Sequence, residues 1–357
     1  MNRRDFLKFS ALAGAGLLVG GVVRSTQPQR KTVVSLVKSE DRTEAISKAI
    51  DLLGINPMKG KGVVIKPNFN SAHPFPGSTH NDTLRALIEK LSDMGANSFK
   101  VADRSGMGNT RAVMQQKGIF DMAEEMGFEP IVLDELPKEG WKHFEMKDTH
   151  WRRGLFFPKL FLEAESIVQT CCLKTHRFGG HFTLSLKNSV GMVAKFSPID
   201  NYNFMNELHS SPHMRLMIAE INLLYEPDLI VLDGMKAFVT GGPEAGKGAN
   251  PGVMIAGTDR VAVDAVGVAI LRFLGTTPEV SAGEVFDQEQ IRRAVELNLG
   301  VDSPEKIEII VPDDESAKFA SKLKPILRLS VRVGADSKGR KETMWGEIKK
   351  IREVENG

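Results

Sequence analysis

The sequence predicts an α/β fold: a doubly wound, mostly parallel sheet flanked by helices, with irregular insertions over the carboxyl ends of its strands. Short runs rich in Val and Ile alternate with amphipathic stretches through most of the chain. Several of these runs are apolar at consecutive positions, which is typical of strands buried on both faces of a parallel sheet. The predicted strands are Thr32–Val37, Gly62–Ile65, Ser98–Ala102, Pro130–Leu133, Ser166–Cys172, Asp228–Leu232, Gly252–Ala256 and Lys306–Val311.

Apolar residues at helical spacing lie between these runs, and Asn81 or Asp82 is expected to cap the second helix. The predicted helices are Arg42–Leu53, Asp82–Met94, Met214–Leu224, Arg260–Leu274 and Gln288–Leu297. Two segments fit neither pattern: Trp141–Leu162 is aromatic, and Phe196–Pro212 is polar. We expect both to be insertions over the sheet, able to act as a lid.

The N-terminus carries a targeting segment. Arg3 and Arg4 precede Asp5, Phe6, Leu7 and Lys8, and an apolar run, Ala11–Val23, follows. This string resembles the twin-arginine signal. The resemblance implies export of the folded chain by the twin-arginine machinery to a periplasmic or other extracytoplasmic location. No good Ala-x-Ala cleavage site follows, so the sequence leaves open whether the segment is removed or stays as a membrane anchor.

Three parts of the chain are expected: the signal at 1–30, a single α/β domain at 31–335, and a charged helical tail at 336–357. The whole chain has 47 basic and 45 acidic residues, but its first 30 residues hold five of the former and one of the latter. The remainder is therefore slightly acidic, which gives no support for binding nucleic acid. Cys171 and Cys172 are the two cysteines, so a disulfide framework and a complete Cys-only iron–sulfur site within this chain are excluded.

Polar residues follow or end five of the predicted strands. In open parallel sheets, ligands bind outside the carboxyl ends of the strands. We therefore expect one crevice to be lined by Lys66, Asn68, Asp103, Lys174, His176, Asp233 and Asp259. Each of them could instead be a turn or cap residue.

A dense group of cations follows the fifth strand. The stretch Thr183–Val190 is expected to open a helix after two glycines, and a helix start beside cations is an anion site. We interpret Lys66, Lys174 and Lys187 as partners of a phosphate or carboxylate. His176 is the best candidate for proton transfer, because its pKa can lie near neutrality. The alternative is a structural network with the nearby aspartates Asp103, Asp233 and Asp264.

Three further features have functional interpretations. Asp264 lies in an apolar helix and needs a donor, for which a lysine of the segment Lys174–Lys187 is expected. The stretch Gly241–Lys247 approaches the Walker A spacing, but Gly248 replaces the required Ser or Thr and a strand follows, so it is interpreted as a flap over the site. A metal ion such as zinc, iron or manganese could be held by four residues. These are His176, His181, Asp233 and Asp259.

Several of these motifs together resemble the domain-of-unknown-function 362 family. The core is Lys174-Thr175-His176 followed by Ser185-Leu186-Lys187-Asn188 and Gly191. The other matching parts are Ile65–Asn68, Asp233-Gly234, Gly241–Pro243 and Asp259–Asp264. Some members are joined to a ferredoxin-type domain, so the resemblance implies a redox partner protein, although this chain lacks Cys-x-x-Cys repeats.

Two functions remain open from the sequence. In the first, the chain is an exported enzyme acting on a small anionic molecule, with His176, Lys174 and Lys187 as catalytic residues. In the second, it is a non-catalytic protein that holds or assembles a cofactor for an exported iron–sulfur or other redox system. The cofactor itself is not identified by the sequence. The residues expected to bind the ligand are Lys66, Asn68, Asp103, Asn188, Asp233, Gly241, Gly242, Asp259 and Asp264.

Overall fold

The structure is a computed structural model and describes residues 31–328 and 330–334. The signal at 1–30 and the predicted tail at 336–357 lie outside the described residues, and the division of the chain into three parts stays a prediction. None of the described helices has the length and apolar character needed to cross a membrane.

The predicted mostly parallel α/β sheet is confirmed. The thirteen described strands are β1 Thr32–Lys38, β2 Gly62–Lys66, β3 Ser98–Asp103, β4 Glu129–Val132, β5 Trp141–Phe144, β6 Leu155–Pro158, β7 Ser166–His176, β8 His181–Thr183, β9 Leu229–Gly241, β10 Gly246–Ala249, β11 Val253–Gly257, β12 Ile307–Val311 and β13 Ser330–Val333. The main sheet has the order β13-β12-β1-β11-β9-β7-β2-β3-β4, with β10 on β9 and β8 on β7.

One central strand of this sheet runs in the opposite direction from its neighbours. β11 pairs antiparallel with both β1 and β9, whereas β9, β7, β2, β3 and β4 pair in parallel. The carboxyl ends of β2, β3, β7 and β9 therefore lie at one edge of the sheet, and that of β11 lies at the other. The short strands β8 and β10 are also antiparallel to their partners.

Helices cover both faces of the sheet. They are α1 Arg42–Leu53, α2 Asn81–Asp93, α3 Thr110–Gln116, α4 Ile119–Met126, α5 Lys159–Leu162, α6 Ser185–Asn188, α7 Phe204–Ser210, α8 Met214–Ile221, α9 Arg260–Phe273, α10 Pro278–Ser281, α11 Glu289–Glu296 and α12 Asp314–Leu327. The predicted cap of α2 is wrong by one position, because the His80 side chain accepts the N–H of Asp82.

Alternate side chains of the central strands supply two cores. Ile230 and Leu232 of β9 pack with α9 and α12, and Leu229 and Val231 pack with α1 and α2. Burial on both faces explains why these strands read as continuous apolar runs. By the same alternation, Asp233 lies on the face of the sheet that carries α1 and α2.

The predicted insertions have more regular structure than their sequences indicate. In Trp141–Leu162, β5 and β6 form a separate two-stranded antiparallel sheet, and α5 follows it. Aromatic residues of this segment, with α7 and α8, build a third hydrophobic cluster.

Candidate functional site

A small polar pocket lies at the carboxyl ends of β2, β3 and β7, with a cavity volume of about 40 Å³. It brings together seven of the predicted residues: Lys66, Asn68, Asp103, Lys174, His176, Lys187 and Asn188. Four cations line it and Asp103 is the one acidic residue among its lining side chains, so the pocket is positively charged. The other polar lining residues, Asn70, Arg104 and Thr183, were not predicted from the sequence.

One side of the pocket is a hydrogen-bonded network that uses most of its own polar atoms. Nζ of Lys66 lies 2.7 Å from Oδ1 of Asp103 and also donates to the Pro67 carbonyl and to Oδ1 of Asn188. The Asp103 carboxylate accepts two backbone N–H groups as well, from Phe69 at 2.6 Å and Arg104 at 2.7 Å. We call Lys66, Asp103 and Asn188 the inner network; it fixes the ends of β2 and β3.

Two glycines, Gly191 and Gly106, allow the backbone to lie directly against residues that line the pocket. A Cβ atom added to Gly191 would lie 2.4 Å from Oδ1 of Asp103 and 2.8 Å from Nζ of Lys66. A Cβ on Gly106 would lie 2.4 Å from Oδ1 of Asn70. A side chain at either position would therefore displace residues that line the pocket.

Arg104 brings a positive charge to the pocket, but its N–H groups donate mainly to backbone carbonyls. Its guanidinium donates to the carbonyls of Val193 at 2.9 Å, Ser105 at 3.1 Å and Val190. It therefore holds the chain around Val190–Val193, and we assign it a structural and electrostatic role.

Lys174 and Lys187 retain donors that face the cavity. Nζ of Lys174 donates to Oδ1 of Asn68 at 3.1 Å and to the Gly77 carbonyl at 2.6 Å. One of its three N–H groups is therefore still available as a donor. Lys187 has no hydrogen-bonding or carboxylate partner in the described part of the chain, although only 8% of it is exposed. Burial, followed by the charges of Lys174 and Arg104, lowers the pKa of Lys187 to about 7.

Three other polar atoms that line the pocket are also without a partner among the described residues. They are Nδ2 of Asn70, Nδ1 of His176 and Oγ1 of Thr183, and each is buried. Buried polar atoms are nearly always hydrogen-bonded in folded proteins. Several such atoms around one cavity, beside a buried lysine, leave donors and acceptors available to a molecule that enters it.

The pKa of His176 does not lie near neutrality, so the expectation that made it the candidate for proton transfer is wrong. Burial lowers the pKa of His176 well below its usual value, and the positive charge of Lys187 lowers it further. His176 is therefore a neutral imidazole at neutral pH. Lys187, which also lines the pocket, has a pKa of about 7.

A family model described as "Domain of unknown function (DUF362)" matches residues 63–269, which include every residue that lines the pocket. The chain belongs to this family. A second model, for the twin-arginine translocation signal, matches residues 1–20. This DUF362 protein is thus addressed to the twin-arginine export machinery and exported to the periplasm or another extracytoplasmic space.

Two further similarities are distant. The "Thylakoid-associated protein sll1697" of Synechocystis sp. is 25% identical to this DUF362 protein over 229 residues, which are 63% of this chain and 68% of that protein. The lactate racemase apoprotein of Thermoanaerobacterium thermosaccharolyticum has a TM-score of 0.40 at 12% identity, over 84% of this chain and 92% of the other.

Several predicted residues of the DUF362 chain lie away from the pocket. Asp259 follows the antiparallel β11, so it lies at the opposite edge of the sheet; its side chain caps α9 by accepting the N–H groups of Val261 and Ala262. Asp233 lies inside β9, which is longer than predicted, and its carboxylate accepts hydrogen bonds from Thr83 and from Arg42. The expectation that both line the crevice is wrong.

The four predicted metal ligands are therefore not all brought together. His176 and His181 are paired across β7 and β8 and both border a second cavity, but Asp233 and Asp259 lie elsewhere. Within residues 31–328 and 330–334, no group of three or more His, Cys, Asp or Glu side chains is arranged to hold a metal ion. Cys171 and Cys172 are buried thiols, and burial raises the pKa of both.

Asp264 does not bind a lysine as expected. Its carboxylate accepts the backbone N–H groups of Ser185 at 2.7 Å and Leu186 at 3.0 Å, at the start of α6. Burial raises the pKa of Asp264 to about 8, and these two hydrogen bonds oppose the rise. A helix does begin within Thr183–Val190 as expected, but it is short: α6 has four residues and continues as a 3-10 turn, Ser189–Met192.

The glycines of the predicted flap lie beside the pocket. Gly241 borders the neighbouring cavity with His181, and Pro243 lines the pocket itself. Gly242 has a φ of 64°, and a Cβ on it would lie 2.0 Å from the Thr175 carbonyl, so only glycine fits there. The flap is tied to the β7–β8 turn by an ion pair between Arg177 and Glu244.

Proposed function

We propose that this exported DUF362 protein binds a small oxyanion, a carboxylate or a phosphate, in the pocket lined by Lys174 and Lys187. The observation that carries the proposal is the position of Lys187: a buried lysine that faces a cavity and has no acceptor or carboxylate in the described chain. An ammonium group that loses most of its water without gaining a partner is unfavourable, by up to several kcal/mol when the ion is fully buried. A bound anion would supply the missing partner.

The other unpartnered atoms support the same ligand. An oxyanion has several acceptor lone pairs, and Lys187, the third N–H of Lys174, the Thr183 hydroxyl and the Asn70 amide are donors. The inner network already neutralises Asp103 with Lys66, so the excess positive charge remains available to the ligand. The small cavity fits the charged group of a ligand and not a large cofactor.

We further propose that Lys187 transfers a proton to or from the bound molecule, with His176 as a neutral hydrogen-bond partner. A lysine with a pKa of about 7 is present as both acid and base near neutral pH, which is the condition that favours general acid–base catalysis. The neutral imidazole of His176, with its unpartnered Nδ1, is a hydrogen-bond partner for the same molecule. Lys174 binds charge and completes the site.

The test is calorimetric and thermal titration of the exported protein with acetate and with inorganic phosphate. We expect at least one of the two to bind and to raise the melting temperature, because a ligand that binds only the native state stabilises it. Lys187→Met should remove this binding while the protein stays folded, since methionine fills the same volume without a charge. Lys318→Met, on the exposed side of α12, is the matched control and should bind as the parent does.

Two results would contradict the proposal. Failure of both anions to bind would remove the proposed ligand class, and unfolding of the Lys187→Met variant would make the lysine structural. A stoichiometric metal or a visible chromophore in the purified protein would instead favour the cofactor-holding function.

A further inference from the structure

An apolar groove lies close to the pocket, where Phe178 of its lining contacts His176 of the pocket. Its volume is about 560 Å³, and its lining includes the apolar side chains of Phe178, Pro212 and Met214, with His209 and Arg215 beside them. The groove and the pocket are separated by the turn Arg177–Gly180 between β7 and β8. Both Phe178 and Gly179 of this turn line the groove.

The same turn contacts the proposed anion-binding residues. The ring of Phe178 meets the ring of His176 edge-on, with centroids 5.8 Å apart. A Cβ on Gly180 would lie 2.8 Å from Nδ1 of His176 and 2.8 Å from Cε of Lys187, so the backbone of the turn lies directly against both side chains. One short segment therefore forms a wall of the pocket on one side and of the groove on the other.

Phe178 is a large aromatic residue that is about half exposed. The guanidinium of Arg177 lies 4.3 Å from the centroid of its ring, yet 49% of the residue is exposed. A large aromatic side chain at the boundary between a cationic pocket and an apolar groove is complementary to a molecule with one charged end and one apolar part.

We infer that the ligand of this site is an amphiphilic anion. Its charged group lies in the pocket between Lys174 and Lys187, and its aliphatic or aromatic part passes over the exposed turn at Phe178 into the groove against Pro212 and Met214. The inference rests on the proposed function, because it names the class of molecule that the anion site binds. The groove thereby selects among anions that the pocket alone cannot distinguish.

Two matched ligand series test the inference by calorimetry: acetate, butanoate and hexanoate, and inorganic phosphate, butyl phosphate and hexyl phosphate. Each methylene that is fully buried should strengthen binding about fourfold, so we expect the six-carbon member of at least one series to bind about tenfold or more tightly than its parent anion. Phe178→Ser should reduce this ratio to about twofold, because it removes the apolar wall of the groove. Phe196→Ser, at another exposed aromatic residue outside the groove, should leave the ratio unchanged.

The outcomes separate the two proposals. Binding of acetate or phosphate without any gain from chain length would overturn the amphiphilic ligand and leave the anion site standing. An equal loss in the Phe178→Ser and Phe196→Ser variants would also overturn it, because the groove would then have no special role. Failure of every member of both series to bind would overturn the anion site and this inference with it.

Discussion

The carboxylate of Asp264 accepts the backbone N–H of Ser185 at a distance of 2.7 Å. With the second hydrogen bond from Leu186, it holds the first turn of α6 against α9. α6 is only four residues long and carries Lys187, so it depends on this contact for its position. If the proposed anion site is present, Asp264 is a positioning residue for it, although Asp264 does not line the pocket.

The first prediction concerns this contact. Asp264→Ala leaves two buried backbone donors without an acceptor, and each should cost about 1–3 kcal/mol of unfolding free energy. Anion affinity should fall as well, because Lys187 is no longer held in place. Asp264→Asn restores one acceptor and should recover part of both losses, as measured by thermal unfolding and calorimetry.

An exposed aspartate provides the control for Asp264. Asp93→Ala, near the end of α2, should change neither stability nor affinity appreciably. If Asp264→Ala loses stability but binds anions with unchanged affinity, then the contact stabilises the fold without positioning Lys187.

The second prediction is a pH dependence of binding. Burial lowers the pKa of Lys187 to about 7 in the free protein, and the anion binds the charged form. Affinity should therefore fall by about tenfold per pH unit above pH 7. Calorimetry in buffers of different ionisation enthalpy should show uptake of a proton on binding at pH 8. An affinity that stays the same from pH 6 to pH 9 would contradict the assignment of charge to Lys187.

The third prediction is a pH dependence of stability without ligand. The unfolded chain keeps the proton of Lys187 up to the ordinary lysine pKa, whereas the folded protein loses it near pH 7. The folded state is therefore favoured as pH rises through this window, by at most about 1.4 kcal/mol per pH unit. The difference in unfolding free energy between the parent and Lys187→Met, followed from pH 6 to 9, isolates this residue from Asp264. A flat difference would show that Lys187 is solvated.

The fourth prediction concerns the buried ion pair of the inner network. Asp103→Asn leaves the Lys66 ammonium, which is 1% exposed, without its counter-charge, and should cost about 3–5 kcal/mol. The matched control is the exposed pair of Arg111 and Glu135, where Glu135→Gln should cost no more than about 1 kcal/mol. Equal effects in denaturant titrations would show that the inner network is as solvated as the surface.

The fifth prediction tests the close approach at Gly191. Gly191→Ala places a methyl group 2.4 Å from Oδ1 of Asp103, so it should separate Asp103 from Lys66 and cost about 1–3 kcal/mol. The comparison is Gly248→Ala, where the nearest atom to the new Cβ is 3.9 Å away. Thermal unfolding of both variants measures the difference, and similar melting temperatures would contradict the close approach.

The strand ends that form the site could be predicted from sequence where the strands are parallel. Lys66, Asp103 and Lys174 follow continuous apolar runs, and parallel strands place such residues at one edge. Asp259 follows an identical pattern, but β11 runs the other way. The amino-acid composition of a buried strand does not indicate whether it runs parallel or antiparallel to its neighbours. The wrong placement of Asp259 could therefore not be avoided from one sequence.

The remaining lining residues depend on pairing that the sequence does not reveal. Thr183 reaches the pocket because β8 folds back on β7 and pairs Thr183 with Lys174. Arg104 directly follows Asp103 and could have been included by the same argument as its neighbour. Asn70 lies in a loop, and nothing in its immediate sequence distinguishes it from other loop amides.

The low pKa of Lys187 also has a chemical consequence. About half of the molecules carry a neutral amine at this position at pH 7, and a neutral amine is a nucleophile whereas an ammonium ion is not. Exposed lysines remain almost entirely protonated at that pH. Cyanate, which is small enough for the cavity, should therefore carbamylate Lys187 ahead of the surface lysines, and the reaction offers a direct chemical mark for the occupied and the empty site.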